Sequence, residues 1–238
     1  MKHGEARFLS CMYVLSLLLL AGFAANGLRS AAAVSAETAV PVVIVLDPGH
    51  GGMDGGAAGA DGTLESSLNL SIALKTDAVL GLLGEQTLLT RSTDADLSGP
   101  EAKTISQKKV SDIRRRVEIV NSQAGALLLS IHCNTYSEEK YHGAQVFYTG
   151  TASKALAEVL QEALQAHVDP GNTRKAKTIS PDVYLMKHIM APGVLLECGF
   201  LSNPAELRNL KDPGYQNRLA VTIAVTAAGY RPENFSGV

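Results

Sequence analysis

The chain of 238 residues has only three cysteines, no tryptophan and 5% aromatic residues. So few thiols cannot staple a disulfide scaffold, and stability must come from a hydrophobic core. The 46% hydrophobic content and mean hydropathy of +0.09 fit a globular chain. An excess of one charge is also missing, with 21 Lys and Arg against 23 Asp and Glu. Nothing resembles a basic nucleic-acid footprint. The one tight basic run, Arg114-Arg115-Arg116, falls in a helical pattern and reads as a solvated face. Several catalytic signatures are absent too. There is no H-E-x-x-H and no G-x-S-x-G, which excludes thermolysin-type zinc sites and a serine-hydrolase elbow. The glycine-rich stretch from Gly49 carries Asp54 where G-x-G-x-x-G needs its third glycine, and no GK[ST] follows. Both phosphate loops are therefore disfavoured.

What is present begins with a distinct amino-terminal segment. Lys2, His3 and Arg7 precede an apolar stretch from Phe8 to Ala25, and Val34-Ser35-Ala36 forms a small-residue cleavage site. Residues 1–36 read as an export signal; an uncleaved membrane anchor is the alternative, since the stretch is nearly long enough to span a bilayer. Residues 37–41 are a spacer, 42–230 one domain and 231–238 a tail.

Val42 to Leu46 is a continuous apolar run, which marks a strand buried on both faces. Leu64, Leu68, Ile72, Val79 and Leu83 follow a helical stripe, with Thr63 as N-cap. The pattern then predicts a strand over 86–90, a loop over 92–109 and a helix from Val110 to Ala124. Strands follow at 126–131 and 144–148, a helix at 152–167 and a loop at 169–182. Short strands are expected at 183–186 and 194–197, and helices near 204–211 and 215–228. Alternating strands and helices imply an α/β three-layer sandwich, with a mostly parallel sheet covered on both faces.

Chemistry in such sheets collects at the carboxyl ends of strands. His50 follows the run IVLD, His132 follows LLLSI and Glu197 ends VLLE, while Glu65 lies in the first turn of the helix after the glycine loop. Two imidazoles and one carboxylate are a common set of zinc ligands, and a further carboxylate can serve as general base. Each residue alone has a bland reading: a turn histidine, a core histidine, a helix-start acid. Glu197 is hardest to dismiss, because a buried carboxylate needs a partner.

Five stretches occur in order: LDPGHGGMDGGA, ESSLNLSIAL, TRSTD, LLLSIHCN and LLECGFLSN. Together they resemble the zinc-dependent N-acetylmuramoyl-L-alanine amidases of the type-3 cell-wall hydrolase family, from about Val42 to Gly229. The resemblance implies one Zn2+ per chain on His50, Glu65 and His132, with Glu197 as catalytic residue. Asn69, Arg91 and Asn134 also fit the family pattern. The implied substrate is peptidoglycan, cut between N-acetylmuramic acid and L-alanine, in the cell wall or the forespore intermembrane space. GAQVFYTG, NTRKAKTIS and YLMKH are most similar to the small amidases of spore-cortex maturation, which implies a route to muramic-δ-lactam. An accessory protein is compatible with that setting. Asn134, Ser202 and Asn203 are candidate substrate contacts, with loop capping as the competing role. A non-catalytic peptidoglycan-binding protein and a zinc exopeptidase are the other readings. Cys133 and Cys198 each follow a site residue on a strand, so they should point away and pack in the core; a Cys133–Cys198 bridge or a replacement zinc ligand is the other reading.

Overall fold

The computed structural model describes residues 42–230; the expected signal, spacer and tail lie outside the described residues. Six strands form one sheet: β1 (Val43–Pro48), β2 (Gln86–Leu89), β3 (Ala126–Asn134), β4 (Gln145–Tyr148), β5 (Lys177–Thr178) and β6 (Gly193–Phe200). Their spatial order is β2-β1-β3-β6-β4-β5, parallel throughout except where β4 runs against β6. Among the described residues six helices accompany them: α1 (Glu65–Leu82), α2 (Ile105–Asn121), α3 (Gly150–His167), α4 (Tyr184–His188), α5 (Pro204–Lys211) and α6 (Pro213–Gly229). The chain moves from β1 outward to β2, then returns to place β3 on the other side of β1. That reversal opens a crevice at the carboxyl ends of β1 and β3.

The strands are apolar on both faces, because each face is covered. Ile44, Leu46, Leu127, Leu129, Ile131, Val194 and Leu196 pack with residues of α1, α3 and α6. On the opposite face Val45, Leu128 and Leu195 pack with Val120 of α2 and with Leu185 and Met186 of α4. Cys133 and Cys198 belong to the first cluster, buried and free, as their place on alternating strands requires.

Several elements differ from the sequence reading. Val183–Met186 is not a strand: the chain forms the short helix α4, and a four-residue apolar run cannot separate the two. Leu64, not Thr63, is the N-cap of α1, and it makes no side-chain cap bond. The polar stretch before Val110 is already helical from Ile105, started by a capping box in which Thr104 and Gln107 exchange bonds. The expected loop at 169–182 contributes β5, two residues that pair with β4. Arg116 corrects the solvated-face reading. It is 2% exposed beneath the sheet's carboxyl end, whereas Arg114 and Arg115 are exposed.

Candidate active site

The glycine turn after β1 exists to make room. A side chain at Gly49 would place its Cβ 2.1 Å from the ring of His132, and one at Gly56 would lie 2.6 Å from the Glu65 carboxylate. His50 itself adopts φ 61°, and is the sole non-glycine residue with positive φ among those described. That conformation is strained, so neighbouring contacts must hold it. Arg116 donates to the His50 carbonyl at 2.8 Å and to the Pro48 carbonyl at 2.9 Å. Arg91 donates to the Pro48 and Gly49 carbonyls and to Ser66 on α1. Arg116 also pairs with Asp47 at 2.6 Å, where both are buried. Burial opposes ionisation of Asp47, yet Arg116, Thr90 and Ser130 outweigh it and hold the carboxyl below its ordinary value.

Around this turn His50, Glu65 and His132 come together, with one potential ligand atom from each lying within 4.8 Å of the others. Glu65 Oε2 is 3.3 Å from His50 Nε2, and Oε1 is 3.0 Å from His132 Nδ1. The carboxylate also accepts from the Ala57 and Cys133 amides and from Asn69. On its other side His50 Nδ1 donates to Asp54 at 2.9 Å, and Lys109 pairs with Asp54 at 2.9 Å. A carboxylate on the second ring nitrogen is the usual way to fix a metal-binding imidazole. The sequence reading gave neither Asp54 nor Arg116 a role at the site. Asp54 lies within the glycine-rich stretch, four residues after His50, and only the turn brings the two side chains together.

Charge follows from these contacts. Burial works against protonated His50, but Glu65 and Asp54 prevail and raise its pKa from 6.5 to about 9. Burial likewise opposes ionised Glu65, yet His132 and His50 hold its carboxyl well below the usual range. A cluster that gathers two imidazoles around a carboxylate is one where a divalent cation can take the place of a proton. The donor set of two imidazoles and one carboxylate suits zinc.

Glu197 stands apart from that cluster. The β3–β6 register sets it directly beside His132, and strand alternation turns both toward the α2 and α4 face. Its Oε2 is shielded from solvent and has no hydrogen-bond partner among the described residues. Burial pushes its pKa up to about 7, opposed by His132 and His50 and reinforced by Glu65. A cavity of about 310 Å³ opens here, lined by His50, His132, Glu197, Lys109, Val183 and Leu195 among others. The arrangement offers a cation site, a neighbouring carboxylate free to exchange a proton, and space for a small polar group.

The three candidate substrate contacts have other partners. Asn134 accepts from the Thr135 amide, and Ser202 accepts from the Tyr136 amide. Asn203 caps α5 through Ala205 and Glu206 and donates to the Glu139 carbonyl. None of them lines the cavity.

Known proteins share this architecture. The family described as N-acetylmuramoyl-L-alanine amidase matches residues 44–227. The germination-specific N-acetylmuramoyl-L-alanine amidase of Bacillus subtilis (strain 168) is 40% identical over 183 residues, 76% of each chain. The CwlD amidase from Clostridioides difficile, solved in complex with the GerS lipoprotein, superposes with a TM-score of 0.75 at 39% identity, covering 78% of this chain and 96% of that one. The catalytic domain of CwlV, an N-acetylmuramoyl-L-alanine amidase from Bacillus (Paenibacillus) polymyxa var. colistinus, gives 0.65 at 29% identity, covering 78% and 97%.

Proposed function

The chain belongs to the N-acetylmuramoyl-L-alanine amidase family, and from that premise we propose a zinc-dependent hydrolase acting on peptidoglycan. It cleaves the amide between the lactyl group of N-acetylmuramic acid and L-alanine. The observation that carries the reading is the convergence of His50, Glu65 and His132 beside a carboxylate, Glu197, whose Oε2 has no partner among the described residues. His50, Glu65 and His132 would hold Zn2+. Bound zinc supplies Lewis acidity, lowering the pKa of water toward neutrality and polarising a carbonyl.

The protein's own groups do the rest. Asp54 keeps His50 Nδ1 protonated, so Nε2 faces the cluster. Glu65, which accepts from the Ala57 and Cys133 amides and from Asn69, stays ionised. Glu197 Oε2 accepts a proton from water as the water oxygen bonds to the lactyl carbonyl carbon. As the C–N bond breaks, Glu197 returns that proton to the departing L-alanine nitrogen, and a carboxyl group and an amine result. Asn134, Ser202 and Asn203 would shape the rim by holding the loop after β3.

We place the activity outside the cytoplasmic membrane, in spore-cortex maturation, where the exposed lactyl carboxyl precedes muramic-δ-lactam. Similarity to a germination-specific amidase supports that setting. An accessory partner fits it as well, since the C. difficile relative was solved with a lipoprotein.

The test is product analysis on purified sacculi before and after chelation. New amino-terminal L-alanine, lost on chelation and restored by Zn2+, is the expected result. Release of free amino acids would make the protein a peptidase, and binding without cleavage would make it a peptidoglycan-binding protein.

A further inference from the structure

Arg174, in the stretch NTRKAK, plays no part in the hydrolytic steps above, yet it is fixed beside them. Gln145 on β4 pairs directly with Glu197 on β6. In an antiparallel pair such residues share a face, with Cα atoms roughly 4.5–5.5 Å apart. The neighbouring pairs confirm the face: Phe147 and Leu195 pack together on the α2 side, and Val146 and Leu196 on the other. The buried Gln145 accepts from Arg174 Nη1 at 2.9 Å and donates to the Lys175 carbonyl at 2.8 Å. Arg174 Nε donates to the His142 carbonyl at 2.6 Å. Its guanidinium lies 4.5 Å over the ring of Phe200, at the carboxyl end of β6. The half-buried guanidinium is thus pinned by two oxygens and an aromatic face.

None of these partners carries a negative charge, and Arg174 forms no ion pair among the described residues. Glu197 is not its counter-ion, since its ionisation is governed by burial, His132, Glu65 and His50. A preorganised guanidinium with free donor capacity is suited to bidentate recognition of a carboxylate.

Resting on the proposed amidase reading, we propose that Arg174 recognises a carboxylate on the peptide half of the substrate. The glycan half cannot supply this anion, because the lactyl carboxyl of muramic acid is tied up in the scissile amide. One extended residue spans roughly 3.3–3.6 Å. Arg174 bonds the strand neighbour of Glu197 and lies outside the lining of the cavity, so its carboxylate belongs one or two residues from the scissile amide. The second stem-peptide residue, a γ-linked glutamate, carries a free α-carboxyl group there, and its amidated form does not. Arg174 is accordingly a specificity-determining residue that reads whether this position is acid or amide.

The experiment uses zinc-loaded protein and two disaccharide-tetrapeptide muropeptides, alike except for a free or amidated α-carboxyl on that glutamate. Wild type is expected to favour the free acid roughly 10- to 100-fold in kcat/KM, the range of one charge-assisted interaction. Arg174→Gln should lose that preference, chiefly through a higher KM on the acid, with zinc content retained. Arg174→Lys should keep part of it. Equal losses on both substrates would reduce Arg174 to a structural role, and a preference surviving in Arg174→Gln would place recognition elsewhere; either overturns the inference. Wild type cleaving both equally overturns it too while leaving the amidase reading intact. Cleavage of neither removes both.

Discussion

At the scale of single residues, the site depends on one carboxylate being held and another being left free. Glu65 is surrounded by donors, whereas Glu197 Oε2 has none among the described residues. Glu197→Gln keeps size and polarity but cannot take up a proton. Activity is expected to fall by about two to four orders of magnitude, with close to one zinc per chain retained by metal analysis. Lost zinc would instead make Glu197 a ligand. The same substitution has a signature in chelated protein. Glu197 is raised to about 7 from 4.5, so its ionisation disfavours the folded state. That cost is absent below pH 4.5, grows between pH 4.5 and 7, and is complete above; a shift of this size is worth roughly 3 kcal/mol. Glu197→Gln should therefore raise the chelated protein's Tm at pH 8 and leave it nearly unchanged near pH 4. A Tm difference equal at both pH values would mean that the carboxyl is not held in a raised state.

At the scale of elements, one helix anchors the glycine turn. Arg116 joins α2 to β1 through Asp47, Pro48 and His50, while Arg115, its neighbour in sequence, pairs on the surface with Glu118. Arg116→Ala leaves Asp47 charged and buried without its partner, which should cost about 3–5 kcal/mol. Arg115→Ala should stay within about 1 kcal/mol. Urea unfolding of the two variants measures the contrast, and equal stabilities would remove Arg116 as the anchor. The contrast also marks what a sequence can show. β1, β3 and β6 were legible because their aliphatic runs are bounded by glycine or proline, as buried strands are, and their carboxyl ends located His50, His132 and Glu197. Arg116 was not, since a basic run on a helical stripe does not say which member turns inward. Asp54 was hidden for a similar reason: its contact with His50 depends on the left-handed conformation of His50 and on the glycines after it. The strand expected at 183–186 failed because four apolar residues serve a buried helical turn equally well.

At the scale of the whole molecule, the three residues proposed to hold a cation would couple its binding to folding. They come from the β1–α1 turn, α1 and β3, which belong together only in the folded chain. A cation bound there stabilises the fold by mass action, about 2.7 kcal/mol at a free concentration of 100 Kd. The pH dependence is fixed by His50. Without a cation its pKa is about 9, above the ordinary 6.5. Stability from its charged contacts with Glu65 and Asp54 is then fully present below pH 6.5 and lost as pH rises through 9. Zinc requires the neutral imidazole, so zinc binding releases that proton and strengthens over the same window. The two trends run in opposite directions. The gap between the Tm of zinc-loaded and chelated protein should therefore widen steadily from pH 6 to pH 9. His50→Gln should flatten it, because the titrating group is gone and one ligand with it. A gap that is already constant across this range in the wild type would mean that zinc does not compete for the His50 proton, and the cluster would lose its place as the metal site.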